Sequence, residues 1–342
     1  MLDDLKYIHQ RDGQDALGIA EKQWQQLEHN FEIPKIEGEF ENIVYAGMGG
    51  SALAAALSIS WPGHMIPFEI CRNYQIPAYV SDKTLFIACS FSGNTEETLA
   101  ALSEAEGKDA KIVVIASGGK LQEIAEAKNY QLLLTPKVQQ PRYAVLYMFK
   151  ALVTGLGAAG LTKDTSKLEI SAAANFLKQK VAAWIATIPT KDNPAKKLAE
   201  ELAGKSVAIY AGPLLAPAAY KWKIDFNENA KNIAWWNQYP EFNHNEMIGW
   251  SSHPIEKIYG IVDLRSGLEH PRIQKRFEVT EKMLSGRRPS PNVVNVEGQT
   301  VLEQLLWAVV FGDFVSIYLA LLNGVNPSPV DLVEKFKTEL DK

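Results

Sequence analysis

The sequence predicts an α/β protein built from two doubly wound domains, each around a parallel sheet. Three observations predict it: the length, the alternation of short apolar runs with helical segments, and a second start of that pattern past residue 205. At 342 residues the chain exceeds one ordinary core, so two domains of roughly 150 residues are the natural division. Apolar runs separated by helices of about ten residues describe βαβ units, hence parallel strands covered on both faces.

Residues 14–30 read as an amphipathic entry helix. Strand 42–46 (NIVYA) then leads into the alanine-rich helix 51–60, and apolar strands 67–70 and 84–89 follow. Helix 95–105, strand 111–116 (KIVVIA), helix 120–127, strand 131–134 and a long helix over 142–159 complete the first set. Residues 167–203 are helical and sparsely punctuated, which makes them a connector. The restart runs strand 206–211, strand 258–264, helix 269–284, strand 292–296, and helices 300–322 and 330–340. It resembles the first beginning: IVYAGMGGSALAAAL (43–57) and VAIYAGPLLAPAAYK (207–221) share a strand, a Tyr-Ala-Gly corner and an alanine-rich helix. Such corners converge on glycine, but duplication is the favoured reading. The expected domains are 1–160, a helical connector 161–204, and 205–342.

Composition narrows the function. Hydrophobic residues make up 46% and charged residues 22%, the profile of a soluble globular chain. A formal charge of −5, with no lysine or arginine block, argues against nucleic acid or an anionic membrane as partner. Cys71 and Cys89 lie in or beside apolar runs and read as buried free thiols in a reducing cytosol. No apolar stretch reaches the roughly 18–20 residues of a bilayer span, and MLDDLKYIHQRDGQ is too acidic and polar for a secretory leader. His9, His29, His64, His244, His253 and His270 show neither HExxH nor Cys-pair spacing. The expectation is a cytoplasmic enzyme with no metal and no other cofactor.

Ligands of open parallel sheets bind at the carboxyl ends of strands, where the strand order reverses. AGMGGSA (46–52) opens a helix just there. Its glycines permit a tight turn and close amide approach, and the helix start favours an anion. It lacks the third glycine of a dinucleotide fingerprint and the ending of a Walker loop, and a close-packed helix start explains it as well.

ACSFSGNTEET (88–98) is richer. A helix cap needs one hydroxyl, which Thr95 with Thr98, or Asn94 with Glu97, would supply, leaving Ser90 and Ser92 unaccounted for. A phosphate takes hydroxyl and amide donors together, and a serine-rich helix start suits it. A nucleophile elbow fits less well: Ser92 has Ser90 and Asn94 two places away where glycines are wanted, and Ser51 has Gly49 on one side only.

Ser90-Phe91-Ser92-Gly93-Asn94-Thr95, between a strand and a helix, resembles the phosphate loop of sugar isomerase (SIS) domains. Those domains are αβα sandwiches that bind phosphorylated sugars. GMGGSA, SFSGNTEET, QPRYA and NENAK with FNHNE, in this order over nearly the whole chain, resemble more narrowly the bifunctional phosphoglucose/phosphomannose isomerases. The resemblance implies interconversion of glucose 6-phosphate, and mannose 6-phosphate, with fructose 6-phosphate. It sets Gly49, Gly50, Ser51, Ser90, Ser92 and Thr95 on the substrate.

That reaction moves a proton between C1 and C2 through an enediolate. It calls for a carboxylate base, a cation near the developing oxyanion and a group that opens the ring. Glu228, in FNENAKN, is a carboxylate at a helix end, where the macrodipole disfavours it; the resemblance makes it the base. His244, in PEFNHNEMIGW, is a loop imidazole able to shuttle a proton near neutral pH. The resemblance makes it the ring-opening group, donated across subunits, which requires a homodimer. Arg142, in QQPRYA, carries positive charge at a helix start, where the dipole gains nothing from it; the resemblance makes it the cation steadying the enediolate, worth about 3 kcal/mol. The resemblance places a ring-opening lysine near the C-terminus, which the register LVEKFKTEL gives as Lys337, with Lys335 as close rival. One departure concerns AAYKWKID (218–225), where relatives commonly carry an Arg-rich stretch; Lys221 and Lys223 are the available substitutes.

Other classes stay open. A non-catalytic SIS regulator would keep Ser90, Ser92 and Thr95 without needing Glu228, His244 and Arg142 together. A metal-dependent mannose phosphate isomerase would work through His244, Glu246 and His253, with poor ligand spacing and a sheet pattern of the wrong kind. An amidotransferase-type isomerase would carry a glutaminase domain with an N-terminal Cys, which this sequence does not show. An isomerase of a different phosphosugar is the remaining alternative.

Overall fold

The computed structural model describes residues 1–163, 165–252 and 258–340. The chain divides into two compact units, Lys22–Leu177 and Met1–Glu21 with Lys178–Lys342. It opens with α1 (Leu5–Arg11) and α2 (Ala16–Lys22), and α2 gives way to a 3-10 turn over Gln23–Glu28. A single helix over 14–30 is therefore not what forms. The tighter turn carries the buried Gln26, whose amide donates to Tyr143 O (2.7 Å) and accepts from Tyr147 N (3.1 Å).

The unit Lys22–Leu177 holds β1 (Asn42–Ala46), α3 (Gly49–Ser60), β2 (Phe68–Cys71), β3 (Thr84–Ser90) and α4 (Glu96–Glu106). It continues through β4 (Lys111–Ala116), α5 (Gly119–Lys128), β5 (Gln131–Leu134), a 3-10 turn Pro141–Ala144 and α6 (Val145–Ala158). All strand pairs are parallel, in the order β2-β1-β3-β4-β5. The central β3 buries all seven of its residues, as a parallel strand covered on both faces must. Its Phe86 packs in one core with Val44, Val114, Ala101 and Leu102.

α7 (Ser166–Val181) leads to α8 (Pro194–Leu202), β6 (Ser206–Ala211), α9 (Ala216–Glu228) and β7 (Ala234–Gln238). Then come a 3-10 turn Glu241–His244, α10 (Glu246–Gly249), β8 (Tyr259–Arg265), α11 (Pro271–Met283), β9 (Asn292–Asn295), α12 (Val301–Leu322) and α13 (Asp331–Leu340). The second sheet is also parallel, in the order β7-β6-β8-β9. Strand for strand, this repeats the order of the first four strands of the other sheet, with β6 in the place of β1. The likeness of residues 43–57 and 207–221 thus extends from the corner to the topology.

β7 is not among the elements the sequence predicts. Trp235, Trp236, Asn237 and Gln238 are half-buried on an edge strand, so AWWNQ offers no continuous apolar run. The long helix predicted over 142–159 begins as the 3-10 turn around Arg142 and becomes α-helical at Val145. α12 overturns the expectation that no segment is long and apolar enough to cross a bilayer. It has 22 residues with a window of mean hydropathy 2.1, and 94% of that window is buried inside the fold. It is the core helix of its unit, and Trp222 of α9 donates to its Ala308 O at 2.7 Å.

Candidate active site

In the unit Lys22–Leu177 the strand order reverses between β1 and β3, and both predicted corners stand at the carboxyl ends of those strands. Ser51 is buried, and its Oγ accepts from Phe91 N at 3.0 Å, tying the glycine corner to the serine loop. Tyr45 OH donates to Ser51 O at 2.8 Å. Within the loop, Ser90 Oγ shares a 2.7 Å hydrogen bond with Thr95 Oγ1, lies 3.4 Å from Ser92 Oγ and accepts from Gly93 N at 3.1 Å. Ser90 is buried, while Ser92 and Gly49 are exposed.

Thr95 is the N-cap residue of α4, yet its side chain makes no capping bond to the first turn. Its hydroxyl is turned to Ser90 instead. The loop is therefore a ring of hydroxyls held by one another, set at the positive end of an 11-residue helix whose first turn carries Glu96 and Glu97. Gly93 has φ +72°, and a Cβ there would lie 1.8 Å from Gly118 O, so only glycine lets the loop sit against the corner after β4. That corner is tied in by Leu121 N to Gly93 O (2.9 Å) and Lys120 N to Asn94 Oδ1 (3.0 Å).

Arg142 reaches the same end of the sheet. A Cβ on Gly50 would lie 3.0 Å from Arg142 N, so this glycine admits the Pro141–Arg142 turn against the start of α3. Arg142 is 1% exposed; its Nη1 donates to Gln140 Oε1 at 3.3 Å and its guanidinium lies 4.7 Å from the Tyr143 ring centroid. The fold thus brings Gly49, Gly50, Ser51, Ser90, Ser92, Thr95 and Arg142 to one end of one sheet.

Glu228, His244 and Lys337 belong to the other unit. There the corner equivalent to the serine loop's sheet end is filled from within. Glu269, 8% exposed, accepts from Leu214 N at 2.8 Å at the start of α9. Burial raises its carboxyl pKa, and the Leu214 and Leu215 amides oppose that. The helix start that would attract an external anion already holds one of the chain's own.

Glu228 is the last residue of α9 and is half-buried. Just beyond it Lys231 folds its ammonium onto the helix end, donating to Glu228 O (2.9 Å), Asn326 O (2.8 Å) and Pro327 O (3.1 Å). That cation offsets the helix carbonyls which would otherwise disfavour a carboxylate here. Two turns earlier, Lys221 pairs with Asp225 (2.7 Å) and with Asp313 of α12 (2.5 Å), all three side chains fully buried. Lys221 is therefore an internal group of the α9–α12 packing, and Lys223 is the half-buried lysine of the pair.

His244 is the exposed last residue of a 3-10 turn anchored by the buried Phe242, and it lies between Asn243 and Glu246, both held by hydrogen bonds. Asn243 donates to Thr280 Oγ1 at 2.8 Å and accepts from Arg276 at 3.0 Å. Glu246 accepts from Tyr210 OH, from Asn237 at 2.8 Å and from Trp235 at 3.3 Å. Burial first, then the Glu246 charge, hold the Tyr210 hydroxyl well above its ordinary pKa, so it stays a donor. His253, named with them as an alternative metal ligand, lies outside the described residues. Lys337 is exposed on α13 and pairs with Glu334 at 2.8 Å; Lys335 is exposed as well. The sequence reading passed over Glu269 and Lys231. Their signals were position alone, one just after the strand beside β6 and the other in NENAK itself.

Two parallel-sheet α/β units, one with a hydroxyl-lined loop where its strand order reverses, define a SIS-type protein. Residues 191–340 match the model of the bacterial phospho-glucose isomerase C-terminal SIS domain. A bifunctional phosphoglucose/phosphomannose isomerase of Aquifex aeolicus is 32% identical over 314 residues, 91% of this chain and 94% of that one. The chain belongs to the family of bifunctional phosphoglucose/phosphomannose isomerases. A D-glucosamine-6-phosphate 4-epimerase of Sulfolobus acidocaldarius is 36% identical over a shorter span, 65% of this chain and 68% of that one. Among solved structures, a glucose-6-phosphate isomerase-like protein of Thermus thermophilus shares the fold, with a TM-score of 0.65 over 98% of both chains at 18% identity.

Proposed function

We propose that the chain is an aldose–ketose isomerase that interconverts glucose 6-phosphate and mannose 6-phosphate with fructose 6-phosphate. The likeness to the Aquifex enzyme over nearly all of both chains carries this reading, because the serine loop alone would suit any phosphorylated sugar. Ser90, Ser92 and Thr95, with Gly49, Gly50 and Ser51 at the neighbouring corner, hold the phosphate. Glu228 takes the proton from C2 of the open-chain aldose and returns it at C1 through the enediolate. Arg142 stabilises the charge that develops on the enediolate oxygen. His244 and Lys337 open the ring, His244 reaching in from a second copy of the chain. A homodimer is supported by α13, which exposes Leu332, Phe336 and Leu340 at i, i+4 and i+8, one apolar stripe for a second copy to cover. The free, buried Cys71 and Cys89 suit a reducing compartment, and we assign the enzyme to the cytoplasm.

The test is turnover of fructose 6-phosphate by the purified, chelator-treated protein, with glucose 6-phosphate and mannose 6-phosphate quantified separately. Both products are expected, undiminished by the chelator. Glucose 6-phosphate alone would narrow the reading to one epimer. No product, with glucosamine 6-phosphate consumed instead, would move it to the chemistry named for the Sulfolobus relative.

A second expectation concerns the loop. Ser92→Ala with Thr95→Ala removes two hydroxyl donors to a dianion, each worth about 1.5–3 kcal/mol in a charge-assisted bond. The Michaelis constant for fructose 6-phosphate is expected to rise tenfold or more. An unchanged constant in steady-state kinetics would return the loop to a structural helix start.

A further inference from the structure

The unit Lys22–Leu177 contains a cavity of about 360 Å3 that no step of the isomerisation uses. It lies between the last turns of α6, the first turn of α7 and Asn30–Phe31. Three lysines line it, Lys150 from α6, Lys163 from the approach to α7 and Lys167 from its first turn; the described lining residues include no carboxylate, and Glu169, outside the lining, feels the Lys163 charge. Thr162 and Ser166 add hydroxyls, and Phe31 and Ile170 supply an apolar side.

Lys150 is the informative group. It is 9% exposed, and among the described residues no hydrogen bond or ion pair engages its ammonium. Burial, and after it the Lys167 charge, push its pKa below the ordinary lysine value. A long side chain at a surface normally carries its charge out to water. Here the residue is buried where it lines the cavity, with the Lys167 charge acting on it, an arrangement that costs free energy until an anion completes it.

The cavity is not an extension of the serine loop. Lys150, the lining residue of α6 nearest to Arg142, stands eight residues beyond it, about 12 Å at the helical rise per residue, and the rest of the α6 lining lies further along. Its volume is at the lower end of small-molecule pockets, which suits a short carbon skeleton against Phe31 and Ile170. We propose that this cavity is a second anion site, which takes a compact dianion, a phosphate monoester or a dicarboxylate, independently of the substrate loop at Ser90–Thr95.

The test uses the full chain with Ser92→Ala and Thr95→Ala, so that the loop no longer dominates phosphate binding. Inorganic phosphate and succinate are titrated separately by calorimetry, as probes of the two chemistries. At least one is expected to bind, and adding Lys150→Met is expected to weaken it tenfold or more. Methionine keeps the stem and the helix, and the melting temperature reports whether the fold persists. If that variant does not fold, Lys167→Gln, at the exposed rim, carries the same expectation. The better probe should also protect Lys150 from acylation, read by peptide mass spectrometry. Succinate binding without phosphate binding would identify the site as one for dicarboxylates. Binding of neither probe, or binding indifferent to both lysines, overturns the proposal. None of these readouts depends on sugar isomerisation, so this site and the proposed activity stand or fall separately.

Discussion

Replacing Glu228 by glutamine is expected to lower kcat for fructose 6-phosphate by about 10²–10⁴ while leaving the Michaelis constant within a few-fold. Glutamine keeps the shape and loses only the ability to take a proton. The surroundings favour a clean result: the Glu228 carbonyl is held by Lys231, and a side-chain amide leaves that contact alone. A transition-state role lowers kcat and kcat/KM together, whereas a binding role raises KM at constant kcat. Solvent-isotope incorporation at C2 of recovered glucose 6-phosphate gives a second readout, since the variant should lose exchange along with turnover. Unchanged kcat, or loss of activity with loss of the fold, would remove Glu228 from its assigned role.

Lys221→Met is expected to destabilise the unit that carries Glu228 by about 3–5 kcal/mol, because it removes the cation that the buried Asp225 and Asp313 carboxylates both face. Burial opposes the charged lysine, but the two carboxylates outweigh it and raise the Lys221 pKa above its ordinary value. The sign follows. A cation whose pKa is raised by folding contributes stability in full below its unfolded pKa, about 10.4, and loses it as the pH climbs through the folded value. The deficit of the variant should thus be constant through neutral pH and shrink only in strong alkali. Denaturant titration checks both points. Lys221→Met combined with Asp225→Asn and Asp313→Asn should recover part of the loss, since the two buried negative charges are gone as well. A triple variant no more stable than the single one would assign the effect to packing.

The parts of the fold legible in the sequence are those fixed by local pattern. β3 reads as a strand because every residue in it is buried, and KIVVIA reads so for nearly the same reason. β7 does not, because an edge strand with one face open mixes Trp235 and Trp236 with Asn237 and Gln238. The serine loop was legible as a cluster of polar groups, but its inner wiring was not. Thr95 turns to Ser90 instead of capping α4, a choice between two bonds of similar strength that only the packed loop decides. Burial of Arg142 was invisible for the same reason, since a basic residue at a helix start is ordinarily solvated. The Lys221–Asp225 spacing is a helical i,i+4 pair and could be read directly; Asp313 is 92 residues from Lys221, and nothing local announces it. Glu269 stands 55 residues from the amide it occupies, beyond any motif.

The way the two units are cut from the chain has a consequence for biosynthesis. Lys22–Leu177 is continuous, so a ribosome delivers all of it before the other unit is half made. The other unit cannot close in that order. Tyr7 OH donates at 2.6 Å to Leu321 O, 314 residues further on, and Gln14 accepts from Asn326 at 2.7 Å. These contacts of α1 and of the loop after it must therefore wait until α12 and the residues beyond it arrive. α12 in turn emerges as a 22-residue apolar helix, with its burial site only partly assembled. During that interval the nascent chain is most exposed to aggregation, and the emergence of α12, not synthesis of the serine loop, sets when the second unit can form.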